Sequence, residues 1–118
     1  MADSIDELNA RLLRFARERD WEQFQSPKNL AMALAGETGE LLEHFQWLTE
    51  EQSANLSPDK KRAVSHELAD ILSYLVRLSE RLELDLLAVT NEKIEINEHR
   101  YPADEVRGEA RRASEYED

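Results

Sequence analysis

Two acidic pairs carry the residue types best suited to chemistry in this 118-residue chain: Glu37 with Glu40, and Glu67 with Asp70, each at i,i+3 spacing. At 100° per residue, Glu37 falls between Leu34 and Leu41, within the apolar stripe of its helix. Burying an isolated carboxylate costs several kcal/mol, so a group there must be protonated, paired or bound to a cation. Ala33, Gly36 and Gly39 leave room around it. Glu67, Asp70 and Tyr74 share one edge of a second leucine-bearing helix. Two such helices joined by a short connection pack antiparallel, which would set the pairs face to face. Four converging carboxylates repel unless divalent ions neutralise them, and a hard oxygen donor set points to Mg²⁺, with Mn²⁺ as a substitute.

Spacing alone is weak support, because 26 acidic residues in 118 predict about six i,i+3 acidic pairs by chance. Glu92/Glu95 and Glu95/Glu98 read as such coincidences. Position against an apolar stripe distinguishes the other two pairs, and the bland alternative is a set of solvated or salt-bridged acids. Lys93, Asn97 and Arg100 replace the core stripe towards the end of the last helix. They could hold phosphate oxygens or form salt bridges with nearby acids. Trp21, Phe24, Trp47 and Tyr74 could stack on a nucleobase or pack as core, and Trp47 sits at the end of the helix bearing Glu37. His44, His66 and His99 fit no metal-ligand spacing with one another and read as surface or partner-contact residues.

Helices must position these groups. Three glycines, three prolines and helical apolar intervals predict an all-α fold of four helices with no strand. Ser4 and Glu7 form a Ser-x-x-Glu start for the first helix, whose inner face is Ile5, Leu8, Leu12 and Phe15. Ser26-Pro27 starts the second, with Leu30, Leu34, Leu41, Phe45 and Leu48 as its stripe. A polar loop is expected over 49–57. Ser57-Pro58 then opens the third helix, with Val64, Leu68, Ile71, Leu75, Leu78 and Leu82 inward. Asp85 caps the fourth, which Tyr101-Pro102 ends. Residues 1–102 read as one domain, and the charged residues 103–118 as a disordered tail.

The composition narrows the partners. A net charge of −11 disfavours loose binding to nucleic acid polymers or anionic membranes, so a phosphate ligand would need a mediating cation. With no cysteine there is no disulfide or thiolate chemistry. No apolar run approaches the ~20 residues of a membrane span, and the acidic start does not resemble a signal peptide. A cytoplasmic protein is expected. A helical domain this small often completes its core through a second subunit.

Taken together, Glu37-Thr38-Gly39-Glu40 and Glu67-Leu68-Ala69-Asp70 resemble the Glu-x-x-Glu and Glu-x-x-Asp signature of the MazG-like all-α nucleoside triphosphate pyrophosphohydrolases. ERDWEQF at 18–24, PKNLAMALAGETGELLEHFQW at 27–47, YLVRL at 74–78 and KIEINEHRYP at 93–102 resemble the deoxycytidine triphosphate pyrophosphatase branch. The resemblance implies a four-helix domain whose bundle is completed in a homodimer or a dimer of dimers. It implies Mg²⁺ held by Glu37, Glu40, Glu67 and Asp70. It also implies a nucleotide pocket lined by Trp21, Gln23, Phe24, Trp47 and Tyr74, with Lys93, Asn97, Arg100 and Tyr101 towards the phosphates. The implied reaction converts a (deoxy)nucleoside triphosphate, dCTP or a modified dCTP in this branch, to monophosphate and pyrophosphate, clearing unwanted nucleotides. Glu37 or Glu40 would accept the proton of the attacking water. Where the animal enzymes carry a histidine that contributes to base recognition, this chain has Leu12, which leaves the base open. Alternatives are a helical enzyme acting on phosphoribosyl-ATP or dUTP, and a non-catalytic interaction module.

Overall fold

The computed structural model describes residues 1–111 and 113–115, which divide into two units, Met1–Leu84 and Asp85–Asp118. In the first unit, α1 (Ile5–Glu18) leads through a 3₁₀ turn (Glu22–Phe24) into α2 (Pro27–Glu43), followed by α3 (Glu50–Ala54) and α4 (Pro58–Arg81). α4 packs against both α2 and α1. The second unit holds α5 (Leu86–Arg100), α6 (Ala103–Val106) and a 3₁₀ turn (Ala113–Glu115). The chain is all-α, with no strand among the described residues. No helix among them is long and apolar enough to cross a membrane.

Each expected cap forms. The hydroxyls of Ser4, Ser26 and Ser57 accept from the backbone N–H groups of Glu7, Asn29 and Lys60, and Asp85 accepts from Ala88. Glu7 reaches back to the N–H of Asp3 rather than that of Ser4. The expected loop over 49–57 is corrected by α3. Thr49 and Gln52 form a reciprocal capping box, which supports a five-residue helix where no apolar stripe announces one.

Helix ends set the next chain direction. At the end of α1, Trp21 N–H donates to Ala16 O at 2.8 Å and Asp20 N–H to Arg17 O at 3.1 Å, with Asp20 left-handed at φ 55°. This Schellman closure turns the chain so that Trp21 projects beside α1. The same pattern ends α4, where Leu84 N–H bonds Ser79 O and Glu83 takes φ 57°.

Ala16, Leu30, Val64 and Val76 form the fully buried core. Several residues assigned inward are exposed in the single chain: Phe15 on α1, Leu68 and Leu75 on α4, and Leu82 at its cap. The α4 stripe is wider than the face α2 covers. Leu68, Leu72 and Leu75 form its uncovered side.

Candidate metal and nucleotide site

α2 and α4 bring three of the four expected carboxylates together. One oxygen each of Glu37, Glu67 and Asp70 lies within 4.8 Å of the others. Oε2 of Glu37 and Oε2 of Glu67 are both buried with no hydrogen-bond partner. Burial, reinforced by Glu40, Glu67 and Asp70, pushes the Glu37 carboxyl up to about 7. Glu40 is exposed and outside the trio, yet close enough to Glu37 to contribute to that shift. A cluster of unpaired carboxylate oxygens fits a divalent ion, whose charge would supply the missing compensation, and the oxygen-only donor set suits a hard cation.

His44, read from the sequence as a surface or partner-contact residue, is half-buried, and its Nε2 lies 3.8 Å from Glu67 Oε1. It sits one turn beyond Glu40, just past the end of α2. No spacing pattern links it to Glu67, because the contact runs between helices.

Beside the trio a cavity of about 350 Å³ opens between α1, the aromatic turn, α2 and α4. Its apolar walls are Leu12, Phe15 and Trp21, and its polar walls include Gln25, Glu37, Asp70, Ser73, Tyr74 and Arg77. Phe15 and Trp21 meet edge to face with centroids 5.8 Å apart. Tyr74 is pushed above its ordinary phenol value by burial and then by the charges of Glu37, Asp70 and Glu40, which fixes its place beside the carboxylates. A second cavity of about 230 Å³ shares Trp21, Gln25 and Tyr74 and adds Phe24. The aromatic turn is held over α4 from two directions: Arg77 Nε donates to Gln25 Oε1 and Arg81 Nε to Gln25 O, both at 3.2 Å.

Other expected residues stand apart. Gln23 lines neither cavity, and its amide donates to Asp20 O and Oδ2. Trp47 is 85% exposed in the single chain. Lys93, Asn97 and Arg100 lie on α5 and Tyr101 at its end, all in the second unit, where the Arg100 guanidinium lies 5.9 Å from the Tyr101 ring centroid. Gln25 and Arg77 were not among the expected site residues. Gln25 is embedded in a loop, and Arg77 sits in the apolar YLVRL run, where a single cation ordinarily reads as surface.

Paired helices that present a carboxylate cluster able to hold a metal ion beside an aromatic cavity define the class of this all-α domain. The chain belongs to the MazG-like family, whose model matches residues 33–116. It is 42% identical over 114 residues to dCTP pyrophosphatase 1 of Homo sapiens, covering 95% of this chain and 67% of that protein. With dCTP pyrophosphatase 1 of Bos taurus it shares 43% identity over 109 residues, covering 91% and 64%. The chain thus spans about two thirds of the length of these relatives. A pyrophosphatase from Archaeoglobus fulgidus superposes with a TM-score of 0.79 at 34% identity, covering 86% of this chain and 95% of that one.

Proposed function

We propose that the chain is a nucleoside triphosphate pyrophosphohydrolase that cleaves between the α- and β-phosphates, with dCTP and modified dCTP as its preferred substrates and Mg²⁺ as its metal. The relatives named dCTP pyrophosphatase 1 support the substrate class. The observation that carries the reading is the carboxylate trio with its two unpaired buried oxygens, opening onto an aromatic cavity.

Glu37, Glu67 and Asp70 would hold the metal, with Glu40 completing the set on the exposed side. Bound there, Mg²⁺ supplies charge neutralisation for the phosphates and the departing pyrophosphate. Glu37 or Glu40 takes the proton of the attacking water. Trp21 and Tyr74 line the base cavity, with Phe24 at its smaller extension. Lys93, Asn97, Arg100 and Tyr101, all in the second unit, are the residues that the family resemblance implies for phosphate contacts.

The functional assembly is a homodimer or a dimer of dimers. Trp47, Leu68 and Leu72, at 85%, 52% and 41% exposure, supply apolar surface for a second copy. The catalytic domain is residues 1–102, with 103–118 a charged appendage. A chain ending at residue 102 that keeps full kcat supports this boundary, and one that folds but is inactive overturns it.

The deciding experiment measures pyrophosphate release from dCTP, 5-methyl-dCTP, the other common triphosphates, dUTP and phosphoribosyl-ATP, each with Mg²⁺, Mn²⁺ or EDTA. The expected result is metal-dependent pyrophosphate release, fastest with the cytosine nucleotides. Release of inorganic phosphate instead, or turnover undiminished in EDTA, overturns the proposal.

A further inference from the structure

Arg77 is the least accessible charged residue described, 3% exposed, and it lines the cavity beside the carboxylates. Its hydrogen bonds use only part of its capacity. Nε donates to Gln25 Oε1 at 3.2 Å, and Nη1 donates to Asn9 Oδ1 and Glu80 Oε2, both at 2.9 Å. Nη2 is buried and has no partner. A buried donor left unmatched is costly, the more so when the group is charged, so a partner for it is worth much to whatever binds.

The neighbouring Gln25 has a defined sense as well. A guanidinium can only donate, so the bond from Arg77 fixes the Gln25 oxygen towards Arg77 and leaves the Gln25 amide nitrogen as a donor. Among the other lining residues, Leu12, Phe15 and Trp21 offer no acceptor to compete for these groups. The cavity therefore pairs apolar walls suited to a flat ring with two side chains that keep free donors, Nη2 of Arg77 and the amide nitrogen of Gln25.

We propose that Arg77, together with Gln25, recognises the substrate's base by donating to two adjacent ring-edge acceptors, the O2 carbonyl and unprotonated N3 of cytosine. This rests on the triphosphate-hydrolysing reading above. Thymine and uracil carry N3–H at the same edge, so a donor of the protein would face a donor of the ligand. A site built to pair with a polar group rejects the analogue that leaves its own groups unpaired. Leu12 is consistent with this division, since an apolar residue there leaves the polar side of the cavity to read the base.

The test offers the full-length enzyme an equimolar mixture of dCTP and dTTP with Mg²⁺ and follows consumption of each, which gives the ratio of their kcat/KM values. Arg77→Met is expected to lower the dCTP preference roughly tenfold or more, chiefly through KM for dCTP, with dTTP turnover little changed. Asn9→Ala removes one anchor of the guanidinium but none of its free donors, and it should retain the preference. Arg77→Lys keeps the charge but loses the planar fork, and it should also lose preference; it decides the matter if Arg77→Met fails to fold. An unchanged ratio in a folded Arg77 variant overturns the inference, as does an equal loss for both substrates or a matching loss in Asn9→Ala. A wild-type enzyme that cleaves no triphosphate brings down the functional reading itself, and this inference with it.

Discussion

Arg77 lines the same cavity as Glu37 and Asp70 and lies on the same helix, α4, as Glu67 and Asp70, yet the fold treats the two kinds of charge in opposite ways. Arg77 is held by Asn9, Gln25 and Glu80, from α1, the aromatic connection and its own helix. Glu37, Glu67 and Asp70 instead face one another, with two buried oxygens left unpaired. A buried charge with protein partners ties elements together. A cluster of like charges works against folding and persists where a ligand completes it. Mutations should therefore separate the two groups, with activity and stability moving in different directions.

The largest effect is expected for Glu67→Gln, which removes a ligand charge with little change in volume. Pyrophosphate release should fall to background while the circular dichroism spectrum stays helical; full activity would break the contrast by showing the trio to be dispensable. Asn9→Ala should act the other way. Losing a hydrogen bond to a charged group should cost roughly 1.5–3 kcal/mol in urea unfolding, with Mg²⁺ response intact.

Glu37→Gln sharpens the comparison further, because it relieves repulsion. In EDTA at pH 8 its Tm should exceed that of the unmodified chain by roughly 2–5 °C, with the Mg²⁺-induced rise in Tm lost. The pH dependence follows from the same group. Glu37 has a folded value of about 7 against an ordinary 4.5, so over that interval the folded state binds more protons than the unfolded one. Its contribution to stability is full below about pH 4.5 and lost as pH rises through about 7. Without metal, the Tm of the unmodified chain should thus decline relative to Glu37→Gln across this window. The rise in Tm on adding Mg²⁺ should grow over the same window, because the ion requires the ionised carboxylate.

The smallest effect tests a helix end rather than a charge. Glu83 occupies a left-handed position that glycine usually fills in a Schellman closure. Glu83→Gly should raise stability by roughly 0.5–1 kcal/mol and leave activity unchanged. Both charge groups are untouched by it.

How much of this could be read beforehand differs between the two groups for a physical reason. The carboxylates were legible because they interrupt apolar stripes at helical spacing, a pattern contained in single segments. The serine and aspartate caps were legible because their chemistry spans only three residues. Arg77 was not, since its burial depends on Asn9 and Gln25, 68 and 52 positions away. His44 was missed similarly, as its Glu67 contact crosses from the end of α2 to α4. Helix α3 escaped because four polar residues and an alanine carry no periodicity, although Thr49 and Gln52 contained its capping signal. The exposed Leu68 and Leu72 show that a wide stripe records how much surface must be covered, but not which neighbour covers it.

The central claim is that Glu37, Glu67 and Asp70 share a divalent ion. Anomalous diffraction from crystals soaked in Mn²⁺ tests it most directly. The account predicts a peak within coordinating distance of carboxylate oxygens from all three residues. A fully soaked crystal with no peak there, or with these oxygens turned apart and the manganese elsewhere, would contradict it.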